Sequence, residues 1–189
     1  MTNLSGVLKS IRDIMRQDKG LNGDAQRIEQ LGWMLFLKIF SDNDLEREMM
    51  NEKYRSPIPR EFHWIKEKGN WAGDDEGMTG DELLAFVDEK LFPTLRNIDI
   101  SIGNGRALIV REVFEGNNNY MKSGQLFRQV VNELNKIDGQ ISVQGGLPAP
   151  LFVIIIYCEK RILVFRRQVH SCNLFIVQKV KITDRKSVV

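Results

Sequence analysis

Cysteine is absent from the first 138 residues of this chain; its two cysteines, Cys158 and Cys172, both come later. A body without thiols has no disulfide framework, and that usage suits a cytoplasmic protein. Long apolar runs are also lacking. None reaches the roughly 18 residues at which a helix spans a bilayer, so the sequence predicts no membrane segment. The opening MTNLSGVLKSIRD has no basic start ahead of an apolar core, so no signal peptide is expected. A dominant charge is missing as well: the formal net charge is +2, from which alone no partner follows. Histidine is scarce, with two copies, and no Ser-His-Asp set or close carboxylate pair is present. General acid–base and nucleophilic catalysis therefore lack candidates.

What is present fits a globular chain. Of 189 residues, 42% are hydrophobic and 28% charged, enough for one domain with a buried core. The small net charge hides an asymmetry. Residues 1–138 carry 19 Lys/Arg against 23 Asp/Glu, a net of −4, whereas residues 139–189 carry 8 against 2, a net of +6.

Residues 1–138 read as an all-α, bundle-like domain of about five helices with one long structured loop. Leu4, Val7, Leu8, Ile11, Ile14 and Met15 recur at spacings of three and four, with Thr2 or Asn3 as cap and Gly20 as terminator. A second helix follows Asn22 or Asp24, its expected caps, and carries the run LGWMLFLKIF. Ile28, Leu31, Leu35 and Ile39 form one stripe, while Trp33, Met34 and Leu37 cover much of the rest. A helix apolar almost all round is a buried one. Beyond Ser41 it should continue with one wet face. Lys38 is expected to extend its ammonium to the helix boundary or to pair with an acid.

Pro57 and Pro59, then a glycine-rich stretch to Gly80, predict a long connection. Trp64 and Trp71 within it predict that it packs down. A third helix starts at Thr79 or Asp81 and places Leu83, Leu84, Phe86, Val87 and Leu91 inward; Pro93 should disturb or end it. GNGRALIVREVFEG is a short helix. The last is capped by Ser123 and buries Leu126, Phe127, Val130, Val131, Leu134 and Ile137.

The order of these segments resembles the N-terminal helical domain of the modification subunit of type I restriction-modification systems. LKSIRDIMR (Leu8 to Arg16), LFLKIFSD (Leu35 to Asp42), PIPREFHW, the acidic helix into LFPTL, and REVFEGNNNYMKSGQLFRQVVNELNKID carry the likeness, which stops at Asp138. The resemblance implies a subunit of an adenine-specific DNA methyltransferase that uses S-adenosylmethionine to modify N6. It also implies specificity and restriction subunits, a second modification subunit and DNA as partners, with these domains helping to close the complex on DNA. The family's Asn-Pro-Pro-aromatic motif, which grips a flipped adenine, is absent from this chain. SIGNGRAL at 101–108 follows no strand and reads as a turn rather than a cofactor loop. The chain is therefore expected to be a truncated, inactive DNA-binding or assembly module without a cofactor of its own. The alternative is a stand-alone helical module for DNA or protein interaction.

Residues 139–189 change character: dense in Val and Ile, basic, and β-prone or disordered by pattern. The closing DRKSVV can be encoded by GAT CGG AAG AGC GTC GTG, a run common in sequencing adapters. The expectation is a chimeric or read-through join from about Gly139; other codons for these six residues would point to a divergent natural tail.

Possible DNA contacts are Lys53, Arg55, Arg60, Lys66 and Lys68, at the end of the second helix and in the tryptophan-bearing loop. Such side chains neutralise phosphates without reading sequence. Glu52, Glu61 and Glu67 interleave them, so an ordinary charged surface is the competing reading. Cys158, His170 and Cys172 lack paired Cys-x-x-Cys spacing, so no metal is expected. Asp74 to Glu76 read as a solvated loop, and His63 as a packing residue rather than a base.

Overall fold

The computed structural model describes residues 4–74, 77–100 and 105–137. All regular structure among them is helical. It comprises α1 (Leu4–Met15), α2 (Asp24–Met50), α3 (Gly80–Ala85), α4 (Phe92–Arg96), α5 (Gly105–Gly116) and α6 (Gly124–Asn135). A π-helical stretch, Phe86–Leu91, joins α3 to α4 without a break, so five rods result. The expectations for Thr2, Asn3, Asp75, Glu76, residues 101–104 and everything from Asp138 onward, including the tail's character and its cysteines, fall outside the described residues.

The spacing of apolar residues has the predicted effect. Val7, Ile11 and Met15 of α1 are buried, and Phe127, Val130, Val131 and Leu134 of α6 are fully so. These two stripes pack on each other, α3 packs on α6, and α4 on α5. The closest approach is made by glycine. A Cβ on Gly124 would lie 1.8 Å from the carbonyl oxygen of Gly80, whose φ is +59°. Backbone therefore meets backbone where α3 and α6 begin, an approach that any side chain at 124 would prevent.

α2 works through bulk instead. Its 27 residues span about 40 Å. Trp33 reaches three other helices at once, its ring lying 5.0 Å from Phe92, 6.0 Å from Phe114 and 6.1 Å from Phe127. Phe92 and Phe114 meet edge to face at 5.1 Å. These tilted and edge contacts suit the ring quadrupoles and fill the centre of the bundle.

Four local expectations need correction. α1 stops at Met15, not at Gly20. The Asp18 carboxylate takes over there, accepting from Gly20 N–H at 2.8 Å, Lys122 N–H at 3.0 Å and Ser123 N–H at 2.9 Å. A side chain that offers the backbone another partner competes with the helix. Neither Asn22 nor Asp24 caps α2. Gly23 holds the cap position, and Gln26 reaches back to the Asn22 N–H at 2.7 Å. Thr79 occupies the cap position of α3 but makes no side-chain cap bond, and Asp81 lies in the first turn. The stripe Ile28, Leu31, Ile39 is only half-buried; Leu35 alone of the four is buried. The buried face of α2 instead carries Gln30, Lys38, Ser41 and Asp44 among its apolar residues. Lys38 is 3% exposed, so its ammonium does not reach the boundary; it pairs with Asp42 at 3.3 Å.

Pro93 leaves its helix running. The disturbance lies upstream, in the wide turn where Phe92 N–H donates to the Val87 carbonyl five residues back. Ser123 caps α6 as the sequence predicts, its Oγ accepting from Leu126 N–H at 3.3 Å.

Candidate nucleic-acid interface

Among its described residues, the connection from Asn51 to Thr79 contains one short 3-10 turn, Arg60–Phe62, yet residues 62–65 and 71–73 are buried. Trp64 and Trp71 are each 1% exposed and meet edge to face at 5.1 Å. Phe62 and Trp71 both stack on Phe86 of the π-helical stretch, at 5.7 and 5.9 Å. The loop thus packs down as its tryptophans predict.

A buried loop must satisfy its backbone polar groups without a helical ladder. Side chains of α2 and α6 supply the partners. Ser41 accepts from Trp64 N–H at 2.8 Å. Asn135 accepts from Trp64 Nε1 at 2.8 Å and donates to the Ala72 carbonyl at 2.8 Å. Arg128 donates to the carbonyls of Trp71 (2.9 Å), Gly73 and Met78 (3.4 Å). Trp71 Nε1 closes the loop on itself through the His63 carbonyl at 3.1 Å.

The densest of these knots is at Asp44, which is fully buried in the last third of α2. Its carboxylate accepts from Tyr54 Oη at 2.8 Å and Ser56 Oγ at 2.5 Å, and it forms an ion pair with Arg106 of α5. The Arg106 guanidinium also lies over the Phe40 ring at 4.3 Å. One acid thereby joins α2, the start of the loop and α5. Burial, followed by the hydrogen bond to Asp44, pushes the Tyr54 hydroxyl up to about 12. Nearby, His63 Nε2 donates to the Ile58 carbonyl at 3.0 Å and Nδ1 is a buried acceptor without a partner. Burial holds the His63 pKa below its ordinary value, against the opposing pull of Asp44. It is 2% exposed, so the packing role read from the sequence suits it better than a base's.

Lys53, Arg55, Arg60, Lys66 and Lys68 are all exposed. Arg60 reaches Glu67 at 3.3 Å, which brings it beside the strip carrying Lys66 and Lys68. Arg55 folds back onto the carbonyls of Glu52 and Tyr54, at 2.6 and 2.7 Å. It and Lys53 occupy the turn just before Ser56. The cations thus stand on a segment that Asp44 holds through the Tyr54 and Ser56 side chains and that Ser41, Asn135 and Arg128 hold through the backbone of Trp64, Trp71, Ala72, Gly73 and Met78. Sequence reading named the cations and missed the four anchors. Only their position on the inner face of a helix, among Trp33, Leu37 and Phe127, could have revealed them. Asp74 of the acidic run accepts from Asn135 at 2.5 Å, a structural bond. Among the described residues no group of three or more His, Cys, Asp or Glu is arranged to hold a metal ion, and no helix is long and apolar enough to cross a membrane.

Comparison with known proteins bears on the helical domain as a whole. A family model described as the HsdM N-terminal domain matches residues 4–134. The methylase subunit of the type I restriction enzyme EcoEI from Escherichia coli is 49% identical over 146 residues, covering 77% of this chain and 29% of that protein. The chain therefore spans less than a third of the curated relative it matches. Among solved structures, a modification subunit attributed to a type I restriction enzyme of Vibrio vulnificus YJ016 superposes with a TM-score of 0.68 at 29% identity, over 95% of this chain and 38% of that one. A chain from a study of complex assembly and conformational transition in the type I R-M system gives 0.60 at 25% identity, over 91% and 31%.

Proposed function

Because the chain belongs to the HsdM N-terminal domain family, we propose that it is the DNA-binding and assembly module of a type I modification subunit. In the intact subunit, S-adenosylmethionine would supply the methyl group for N6 of adenine. Its partners there are a specificity subunit, a second modification subunit, a restriction subunit and DNA, in the cytoplasm. Every regular element among the described residues is helical. These residues therefore do not form the strand, glycine loop and helix that cradle such a cofactor, and methyl transfer is assigned to the remainder of the subunit. With labelled cofactor and DNA, the 189-residue chain should give no transfer above background.

One observation carries the DNA reading: five exposed cations stand on a segment whose backbone is held by buried hydrogen bonds. A cation on fixed backbone loses less freedom when it meets a phosphate. Anisotropy with a labelled duplex tests it. Replacing Arg55, Arg60, Lys66 and Lys68 together by glutamine should weaken binding and flatten its salt dependence. Unchanged affinity would remove this segment from the interface.

A second reading rests on Met49 and Met50, 80% and 78% exposed at the end of α2. Two large apolar side chains on one turn suit a protein contact. If assembly dominates, replacing both by glutamine weakens co-elution with the other subunits and leaves the DNA affinity unchanged.

A further inference from the structure

We propose that Arg128, buried in α6, is a positioning residue for the DNA-contacting loop, acting as a tethered cation on which the carbonyls of Trp71, Gly73 and Met78 converge. The inference rests on the DNA reading above and adds to it a residue that touches no DNA. Arg128 is 9% exposed. Its Nη1 donates to the carbonyls of Trp71 and Met78, its Nη2 to that of Gly73, and its Nε to Asn132 at 2.9 Å. A planar fork suits this task, since it points several donors in fixed directions. From the cage the constraint passes outward. Trp71 holds the His63 carbonyl and packs against Trp64. Asn70 and Glu67 are joined by a backbone bond at 3.1 Å, and Glu67 pairs with Arg60. Lys66 and Lys68 stand on either side of Glu67. The cations are thus presented by a chain of interactions that begins at one guanidinium.

The test uses the full 189-residue chain with Arg128→Lys and Arg128→Ala, a labelled duplex and a salt series. Lysine keeps the charge, but its three donors leave a single nitrogen and cannot reproduce the planar fork that reaches three carbonyls and Asn132 from separate atoms. Binding should weaken about tenfold, and the slope of log K against log salt should fall by about 0.9 for each phosphate that is no longer neutralised. Arg128 is too buried to reach a phosphate, so a lower slope reports displaced loop cations. Low-millimolar guanidinium should restore the tryptophan emission and DNA affinity of Arg128→Ala, where sodium at equal ionic strength does not. A variant with wild-type affinity and slope but a lower melting temperature would overturn the proposal, leaving Arg128 a stability residue. If the wild-type chain binds no duplex, the DNA reading fails. The cage is then judged by emission alone, and an unshifted, guanidinium-insensitive spectrum overturns it. Should both Arg128 variants fail to fold, Gly77→Ala serves: its Cβ would lie 2.3 Å from Arg128 Nη1 and 2.4 Å from the Gly73 oxygen. The same fall in affinity and slope is expected, and its absence counts against the proposal.

Discussion

The helical frame and the loop that crosses it both bury apolar side chains, but different forces fix them. In the frame, α1 and α6 present apolar side chains at regular intervals, and Trp33 of α2 gathers Phe92, Phe114 and Phe127 into one cluster. In the loop the one regular element among the described residues is the 3-10 turn Arg60–Phe62, and Asp44, Ser41, Asn135 and Arg128 hold the rest by individual bonds. Packing is forgiving of shape when volume is kept. Hydrogen bonds to buried groups are not, because removing one partner leaves a desolvated atom behind.

The sharpest break between the two regions should come from paired truncations. Asp44→Ala leaves Arg106, Tyr54 and Ser56 without their common acceptor and should cost about 3–5 kcal/mol. Trp33→Ala should cost a similar amount, about 3–5 kcal/mol, by opening a cavity. Denaturant unfolding gives both totals, and hydrogen exchange separates them. The first should raise exchange in residues 51–79 before the rest, and the second should raise it throughout the bundle. Equal patterns would mean that loop and frame are one unit.

Gly124→Ala probes the frame at its tightest point and should cost about 1–3 kcal/mol as α3 is pushed off α6; a thermal melt checks it. A smaller effect belongs to the loop and to pH. His63 is neutral when folded because burial lowers its pKa, whereas the unfolded chain takes up a proton near 6.5. Below that pH the unfolded state binds more protons, so stability falls as pH drops through 6.5 and goes on falling toward the lower folded value. His63→Gln should remove this part of the slope between melts at pH 7.5 and 5.5. The smallest effect is expected at the surface. Arg60 and Glu67 are both about two-thirds exposed, so Arg60→Ala should leave the melting temperature almost unchanged. Any change should appear in DNA affinity.

The same division explains what could be read from the sequence. Helices announce themselves by spacing, and the loop's burial was legible in Trp64 and Trp71. The anchors were not. Ser41 serves a residue 23 positions away, Asp44 one 62 away and Asp18 one 104 away. Periodicity looks only along the chain, so it credited α2's core face to Ile28, Leu31 and Ile39 and passed over Gln30, Ser41 and Asp44. Of the candidate site, the cations were visible because charge is a local property. The rigidity beneath them was not, because it depends on partners brought together by folding.

The wide turn at Phe86–Leu91 has a consequence for phase. Leu83, Val87, Leu91 and Leu95 are all 0% exposed and stand four residues apart. On an ordinary α-helix each such step advances the side chain by about 40° beyond a full turn, so the fourth would point well away from the first. Turns of more than 3.6 residues cancel that drift and keep all four on one line. The stretch acts as a gear between two helical rhythms, and Pro93 just beyond it keeps the gear in place. Deleting one residue among Asp88, Glu89 and Lys90, which are exposed, would let the rod relax to α-helix with its line kept: the eleven steps then left from Leu83 to Leu95 advance about 1100°, roughly 20° past three turns. Straightening to α-helix with every residue kept would instead carry Leu95 about 120° off that line, and Phe92 would turn from Trp33 at the centre of the bundle.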